Sequence, residues 1–515
     1  MNLGTPTVWI LGDQLLDPHP AMVAAASVAG TSPVRVVLLE SSARLSQQPY
    51  QRKKLVLLLS AMRHYAALLR AQGYEVDYLH APDFLTGLRE HCQRTQPGHL
   101  FTMAAAEYAT RQFQLTLPDA LGLPVTILPN TQFLVGQFDP FPDAAPTRTV
   151  MMATFYRAMR RHFAVLLEKD GAPIGQKWSF DAENRKPLPR TLTPPEPPVN
   201  EPDLLTQQVM EEVVRMPNGI GDVTGFNLAV THTEAAQLLA TFLGERLANF
   251  GPYEDAMTMR SALLYHSGLS PYLNLGLLEP MQLIRAAEQA YHDGKAPLNS
   301  VEGFVRQVLG WREYMYWQYW RQMPALATKN AWNATRTLPA WFWTGTTDLN
   351  CLHHALTRAL QTGYTHHIER LMLLTNLCLL AGVQPHEVNT WFLAAYLDAY
   401  DWVMVPNVFG MGLNADGGGI ATKPYIASAN YINKMSDYCA SCRYNAKQRT
   451  GPDACPFNLL YWNFLITHEE ALRANPRLGP AVLGLNRLTT EERAVIQQEA
   501  LLVLERLGFH QAAEA

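Results

Sequence analysis

The stretch Val8-Trp9-Ile10-Leu11-Gly12-Asp13-Gln14 is a short apolar run that ends in a turn, and it sets the pattern of the first 130 residues. Four more strand-like runs follow, at residues 34–40, 74–80, 99–104 and 124–128, and helix-like segments such as 53–70 separate them. This alternation predicts a Rossmann-like parallel sheet with crossover helices, whose ligands bind at the carboxyl ends of the strands. The turn after the first run lacks G-x-G-x-x-G, so the dinucleotide fingerprint is absent.

The character of the sequence changes twice after the predicted sheet. A helical segment at 149–167 precedes seven prolines within residues 181–203, which prevent regular structure and indicate an extended connector. Helical periodicity dominates from about residue 230 onward. We therefore predict an α/β domain at 1–135, a helix and Pro-rich linker at 136–229, and a large all-α domain at 230–515.

Composition excludes several classes of function. The 515 residues carry a net charge of −4, so any contact with nucleic acid needs a local basic patch. The N-terminus shows no charged region ahead of an apolar one, and no run of about 18 apolar residues occurs. The sequence thus predicts a cytoplasmic protein with no membrane contact, whose thiols stay reduced. We expect a monomer, although composition does not give the oligomeric state.

Four of the six cysteines suggest a metal site. Cys439 and Cys442 form a single Cys-x-x-Cys knuckle, Cys455 precedes a proline, and Cys351 lies far upstream. Zinc ribbons usually have two knuckles, so this spacing favours a [4Fe–4S] cluster over zinc, with disulfides a weaker third alternative. Cys92 and Cys378 are interpreted as core residues.

Several blocks in the helical part have unusual composition. His266 to Leu273 places small polar groups before a helix start, which suits a phosphate but also an ordinary cap at Ser270. His366 and His367 are adjacent in an apolar segment, which indicates either groups that exchange protons or the ordinary start of a helix. A pair of metal ligands is the weakest interpretation, because such pairs favour i, i+4 spacing. The aromatic run 391–402 is typical of a buried helix, and 405–419 of a glycine-rich loop that is not a P-loop.

Together these blocks resemble the flavin domain of photolyases and cryptochromes. The order is Leu269-Ser270-Pro271-Tyr272-Leu273, then Trp311-Arg312-Glu313-Tyr314, then Trp391 through Asp398 to Asn407. The four cysteines, the histidine pair and the segments 178–185 and 431–439 are similar to the iron–sulfur branch, the prokaryotic (6-4) photolyases. The resemblance covers nearly the whole chain.

The resemblance implies FAD in the helical domain. The implied FAD contacts are His266, Ser267, Leu269 and Ser270 at the phosphate and ribose side, Gln307 and Arg312 along the cofactor, and Asp398 and Asn407 near the flavin ring. It also implies Cys351, Cys439, Cys442 and Cys455 as ligands of a [4Fe–4S] cluster. Trp391 and Trp343 match the electron path from the surface to the flavin.

The implied activity is light-driven repair of (6-4) pyrimidine photoproducts in double-stranded DNA. The lesion is flipped out of the duplex into a pocket, and photolyases are among the enzymes known to act in this way. Reduced flavin passes an electron to the lesion, and His366 with His367 assists the proton transfer. Arg157, Arg160, Arg161, Arg185, Lys186, Lys434 and Arg443 are the basic residues predicted to meet phosphates.

A second chromophore and an ion also follow from the resemblance. Asp13, Gln14 and Glu40 match the pocket of a 6,7-dimethyl-8-ribityllumazine antenna. However, Arg44 replaces an acid there and Tyr50-Gln51 replaces a histidine pair, so a different antenna or none stays open. Asp181 matches a position for Mg²⁺ near the lesion.

Other functions remain as alternatives at this point. Phe392 stands where the family has Tyr after the second electron-path Trp, and Met404 where it often has an acid. Both departures leave room for a blue-light photoreceptor of the same fold with little repair activity. A cyclobutane-dimer photolyase and a zinc-containing nucleic-acid binding protein are the remaining alternatives.

Overall fold

The computed structural model describes residues 5–30, 33–475, 477–478 and 482–512. Residues 1–4, which are part of the segment predicted to contain no signal peptide, lie outside them. Five parallel strands form one sheet in the order β3-β2-β1-β4-β5. The strands are β1 Pro6–Ile10, β2 Arg35–Ser41, β3 Glu75–Ala81, β4 His99–Met103 and β5 Val125–Leu128.

The predicted α/β fold class is confirmed, with every predicted strand present. All five residues of β1 are buried, because this central strand pairs with β2 on one side and β4 on the other. Buried parallel strands are continuous apolar runs, which is why the sequence alone predicted these strands. The helices among the strands are Pro20–Ala29, Ser42–Leu45, Arg52–Ala71, Phe84–Thr95 and Tyr108–Leu121.

The remainder of the described chain is mostly helical, as predicted. Two helices, Met152–His162 and Leu204–Arg215, lie between the sheet and residue 229. The later helices are His232–Glu245, Leu247–Tyr253, Ser270–Leu275, Pro280–His292, Leu298–Val305, Glu313–Gln322, Asn350–Thr362, His367–Glu369, Asn376–Ala381, Pro385–Ala395, Asp401–Val405, Ala429–Met435, Pro456–Thr467, Glu469–Ala474 and Thr490–Arg506. Short 3₁₀ turns are Leu134–Gly136, Ile174–Gln176, Asp181–Glu183, Ala325–Thr328, Ala340–Phe342, Tyr438–Ser441 and Leu483–Arg487. The domain limits at 135/136 and 229/230 stay predictions.

Three segments of the helical part are π-helical: Arg306–Arg312, Arg370–Thr375 and Pro406–Gly412. Such segments are rare and are found frequently at functional sites. The last one corrects the sequence prediction, because the first half of the expected loop 405–419 is a continuation of the helix Asp401–Val405.

The aromatic run 391–402 is not one helix, which also corrects the prediction. The helix Pro385–Ala395 ends there, and a new helix begins at Asp401. The break contains no Gly or Pro. Instead, donors from distant elements form hydrogen bonds with carbonyl groups in the last turn of the helix and in the break. The amide of Gln51 donates to Ala394 O and the Lys54 ammonium to Leu393 O and Ala399 O.

Among the described residues, we find no helix that combines the length and the apolar character needed to cross a bilayer.

Candidate functional site

A buried ion pair lies in the break between the two aromatic helices. Arg370 donates to Asp398 Oδ1 at 2.8 Å and to Oδ2 at 3.2 Å, and Ser270 Oγ donates to Oδ2 at 2.6 Å. Burial opposes the charge, but Arg370 and Ser270 outweigh it and hold the pKa of Asp398 below its ordinary value. Ser270 therefore binds this carboxylate, and it is not the N-cap expected from the sequence, a position that Leu269 occupies.

The histidines lie beside this pair. The rings of His266 and His366 stack with centroids 4.6 Å apart and planes inclined by 10°. Burial and neighbouring cationic or histidine side chains lower the pKa of His266 and of His367 to about 4, and hold that of His366 well below its ordinary value. The structure thus brings His266, expected at the phosphate side of a cofactor, against His366.

An acid completes this group on the far side of His366. Glu369 is fully buried, and its Oε1 lies 3.8 Å from His366 Nε2. Arg358 Nη1 donates to the same Oε1 at 2.8 Å, and so does the hydroxyl of Tyr438. Sequence reasoning missed Glu369, although its i, i+3 spacing from His366 is a readable signal.

Arg312 is held in a different setting. Its Nη1 donates to Gln132 O at 3.0 Å and to Glu313 Oε1 at 2.9 Å, while the guanidinium covers the Phe133 ring at 4.3 Å and Trp402 at 5.3 Å. The Nε and Nη2 atoms are buried without a partner in the described structure. A buried cationic donor with free N–H groups suits an anionic group of a ligand.

The remaining predicted cofactor contacts are simpler. Gln307 and Asn407 are half-buried within π-helical segments, and Asn407 Nδ2 donates to Val403 O at 2.8 Å. Ser267 Oγ accepts from the amide of Leu269 at 3.4 Å. The roles of these three residues in cofactor binding stay predictions.

The two tryptophans predicted for an electron path lie on adjoining elements. Trp391 is fully buried, and its Nε1 donates to Phe342 O at 3.0 Å. Phe342 directly precedes Trp343, which is half-buried. The Phe392 ring is 5.2 Å from the Trp391 ring, and Tyr396 is 5.7 Å from it. Arg370 covers the Tyr396 ring at 3.9 Å, and a cation there disfavours oxidation of that ring.

The four predicted cysteines line one cavity. Cys351 lies in the helix Asn350–Thr362, Cys439 lies in the 3₁₀ turn Tyr438–Ser441 with Cys442 directly after it, and Cys455 is the N-cap residue of the helix Pro456–Thr467. Burial and the other thiols raise the pKa of Cys351 well above its ordinary value, that of Cys439 to about 11 and that of Cys455 to about 12. In the described part of the chain, no three His, Cys, Asp or Glu side chains lie close enough for a single metal ion.

A second cavity of about 380 Å³ opens at the carboxyl ends of the strands. Asp13 and Glu40 line it as predicted for an antenna pocket, but Gln14 does not; its side chain donates to Ala104 O at 2.9 Å. Glu40 is bound by Arg63 at 2.9 Å. Arg44 and Tyr50, which the sequence analysis placed at this pocket, line it as well, and Arg44 is ion-paired with Glu107. The residues that sequence reasoning did not assign to the wall are Glu107, Lys54, Tyr400 and Asp401.

The electrostatics of this cavity are unusual. Burial and Glu107 raise the pKa of Asp13 to about 7, and burial with Arg44 lowers the pKa of Lys54 to about 7. Glu107 follows β4, so the rule that ligands bind at the carboxyl ends of parallel strands would have found it.

The predicted basic track is mostly at the surface. Arg157, Arg161, Arg185, Lys186, Lys434 and Arg443 are exposed. Arg160 is the exception and the prediction was wrong for it: it is 1% exposed and donates to the carbonyls of Val165, Leu166 and Trp178. Asp181, proposed for Mg²⁺, is ion-paired with Arg185 and, at 3.2 Å, with Arg306.

Comparisons with known proteins agree with this arrangement. A family model described as "Deoxyribodipyrimidine photo-lyase-related protein" matches residues 8–228. A (6-4) photolyase of Agrobacterium fabrum is 41% identical over 507 residues, which cover 97% of this chain and 99% of that protein.

Two solved structures share the fold. A bacterial class III photolyase from Agrobacterium tumefaciens has a TM-score of 0.58 at 16% identity, covering 99% of this chain and 93% of its own. A cryptochrome of Synechocystis sp. PCC6803 has a TM-score of 0.59 at 13% identity, covering 98% and 95%. At these identities the structural likeness shows the fold alone.

Proposed function

The chain belongs to the photolyase family, and from this premise we propose that it is a light-dependent lyase that repairs (6-4) photoproducts in DNA. The observation that carries the proposal is the buried stack of His266 on His366 beside the Arg370–Asp398 pair. It places a proton-exchanging group next to the residues proposed to hold the flavin. The full-length similarity to a protein named (6-4) photolyase supports the same activity.

Membership in this family implies FAD, and the described residues fit it. Arg312 has two buried N–H-bearing atoms without a partner, which suit a phosphate or a ring acceptor. Asp398 is a fixed carboxylate at the proposed flavin side, while Ser270 and Arg370 keep it ionised. Bound FAD would supply light absorption and the electron for the lesion.

In this proposal His366 provides the proton that (6-4) repair requires. His367 and Arg370 follow it on the same helical turn, where they orient the ring or meet a phosphate of the flipped lesion. Burial and neighbouring histidine and arginine side chains lower the pKa of His366, so a negative charge near the ring favours its protonated form. A negatively charged lesion in the pocket supplies that charge.

The cysteine cavity is proposed to hold a [4Fe–4S] cluster. Four cysteine residues line this one cavity. Their single Cys-x-x-Cys knuckle, distant Cys351 and closing Cys455-Pro456 are more typical of a multi-iron group than of a zinc ribbon with two knuckles. The cluster would tie the helix Asn350–Thr362 to the C-terminal segments.

The cavity of the sheet domain is proposed to hold an antenna chromophore of lumazine size. It lies at the strand ends where α/β domains bind ligands, and Tyr50 and Tyr400 offer aromatic faces in its wall. The lumazine pocket of the family has a second acid and a histidine pair where this chain has Arg44 and Tyr50-Gln51. The Arg44–Glu107 ion pair therefore gives this cavity a different set of charged and polar groups. A chromophore other than 6,7-dimethyl-8-ribityllumazine is the alternative.

The proposed function is tested by a repair assay on two duplex oligonucleotides, one with a (6-4) photoproduct and one with a cyclobutane dimer. We expect loss of the (6-4) lesion under blue light and none in the dark, by a protein whose spectrum shows flavin bands over an iron–sulfur shoulder. Repair of the cyclobutane dimer alone would reassign the substrate. The same spectrum with no repair would contradict the proposal and favour a photoreceptor.

A further inference from the structure

Four polar atoms of the histidine site are buried without a hydrogen-bond partner among the residues that the structure describes: His366 Nδ1, His366 Nε2, His266 Nε2 and Glu369 Oε2. Both His366 and Glu369 are 0% exposed. An unpaired buried polar atom costs free energy, so a cluster of them requires a functional explanation. Here the unpaired atoms are ring nitrogens and a carboxylate oxygen. A proton on one of these groups can be donated in a hydrogen bond to the other.

Glu369 is held in place by its other oxygen. Arg358 Nη1 and the Tyr438 hydroxyl both donate to Oε1, and Arg358 Nη1 also lies 3.0 Å from that hydroxyl. Arg358 is itself fixed, because its Nη2 donates to Thr258 O at 2.6 Å. The carboxylate thus has one engaged oxygen, Oε1, which lies 3.8 Å from His366 Nε2, and a second oxygen, Oε2, without a partner among the described residues.

We propose that Glu369 is a positioning residue for His366, sharing a proton with its imidazole and so keeping that proton available for repair. The inference rests on the proposed function, because it concerns the acid of that reaction. Donation to the lesion leaves a neutral imidazole beside the carboxylate, and the proton released after repair restores the pair.

The charges around both groups are consistent with such sharing. Burial, His266, His367, Arg358 and Arg370 all oppose a positive charge on His366, and the Glu369 carboxylate lies 3.8 Å from its Nε2 as a counter-charge. Burial raises the pKa of Glu369, with Asp437 adding to it, whereas Arg358, Tyr438 and Arg370 oppose the rise. Neither partner therefore holds the proton firmly by itself.

Tyr438 connects this pair to the cysteine cavity. It lines that cavity and precedes Cys439, while its hydroxyl binds Glu369. Tyr444 lines the same cavity, but its hydroxyl has no hydrogen bond to Glu369 among the described contacts. The two tyrosines form a matched pair of test positions.

The test uses the full-length holoprotein with ¹⁵N-labelled histidine, in the dark, with His366→Gln to assign the His366 signals. We expect Glu369→Gln to lower the pKa of His366 by about one unit, since a carboxylate in contact favours the imidazolium. Repair at neutral pH should fall about tenfold, and the limb of the pH–rate profile that reports His366 should move to lower pH.

Tyr438→Phe frees the carboxylate to hold the shared proton more tightly, so it should also lower the His366 pKa, whereas Tyr444→Phe should not. This pair keeps the test open if Glu369→Gln fails to fold. Unchanged ¹⁵N titration of His366 in Glu369→Gln or in Tyr438→Phe would overturn the inference. Absence of repair by the wild-type protein is a separate result, which rejects the proposed function and leaves the titration interpretable.

Discussion

At the scale of single residues, the site is organised by buried charges that are paired. Arg370 and Asp398 are 11% and 10% exposed and are joined by two hydrogen bonds. Burying an ion pair gains little net stability, but removing one partner leaves an uncompensated charge. The role of the pair is therefore to fix the positions of its two side chains, with Asp398 against Ser270 and Arg370 beside the His366 segment.

We predict that Arg370→Met destabilises the protein by about 3–5 kcal/mol, because Asp398 is left buried and unpaired. The urea unfolding transition of the purified protein measures this change. Glu211→Gln serves as the control, since its partner Arg215 is 3.8 Å away and both side chains are largely exposed. Equal effects of the two substitutions would contradict the importance of the buried pair.

Asp13 predicts a pH dependence of stability. The folded protein keeps the Asp13 proton up to about pH 7, whereas the unfolded chain releases it near pH 4. The folded state therefore binds more protons in this window, and the contribution of Asp13 to stability falls as the pH rises from about 4 to 7.

Asp13→Asn should remove that loss, so the variant gains stability relative to the wild type across the same window. Unfolding midpoints at pH 5 and pH 7.5 measure the difference, with the exposed Asp119→Asn as control. A difference between Asp13→Asn and wild type that is independent of pH would show that Asp13 titrates normally.

At the scale of elements, the cysteine cavity joins three segments that are distant in sequence. The helix Asn350–Thr362, the turn Tyr438–Ser441 and the helix Pro456–Thr467 each contribute. A multi-iron group bound there would couple their stability, because metal binding energy becomes folding energy.

We expect Cys351→Ser to lose most of the iron and the broad iron–sulfur absorbance, and to unfold at lower temperature. Iron analysis and thermal unfolding measure these effects. Cys92→Ser is the control, because Cys92 is half-buried in the helix Phe84–Thr95 of the sheet domain. Full iron content in Cys351→Ser would remove Cys351 from the proposed ligands.

Elements also show what sequence could predict. The positions of the strands and the helical content follow from local apolar patterns, whereas the strand order does not, and the cysteine spacing anticipated that Cys351 joins the C-terminal trio around one cavity. The break at residues 396–400 was missed, because it depends on donors from Gln51 and Lys54 more than 300 residues away. Arg160 was misassigned for a similar reason, since its three carbonyl partners are set by a loop conformation.

At the scale of the whole molecule, the sheet domain and the helical part meet at the proposed flavin site. Lys54, in the helix Arg52–Ala71, lines the antenna cavity and donates to Ala399 O, the carbonyl next to Asp398. The two proposed chromophore sites are therefore separated by a shared wall. If both proposed sites are occupied, this arrangement would bring the antenna close to the cofactor that it serves.

The overall charge of −4 makes DNA binding a local effect of the exposed basic residues. We predict that affinity for lesion DNA falls steeply with salt, and that Lys434→Gln lowers the slope of log affinity against log salt by about 0.9. Arg89→Gln, in the helix Phe84–Thr95, is the control. An unchanged slope for Lys434→Gln would exclude this side chain from phosphate contact.

The most direct measurement of the central claim compares His366→Ala with the wild type on a (6-4)-containing duplex under blue light, with flavin content determined for both. The account predicts rapid repair by the wild type, and loss of repair in the variant by at least about two orders of magnitude, with unchanged flavin absorbance. Wild-type rates in the variant would contradict the assignment of His366 as the acid. No repair by either protein would contradict light-driven (6-4) repair itself.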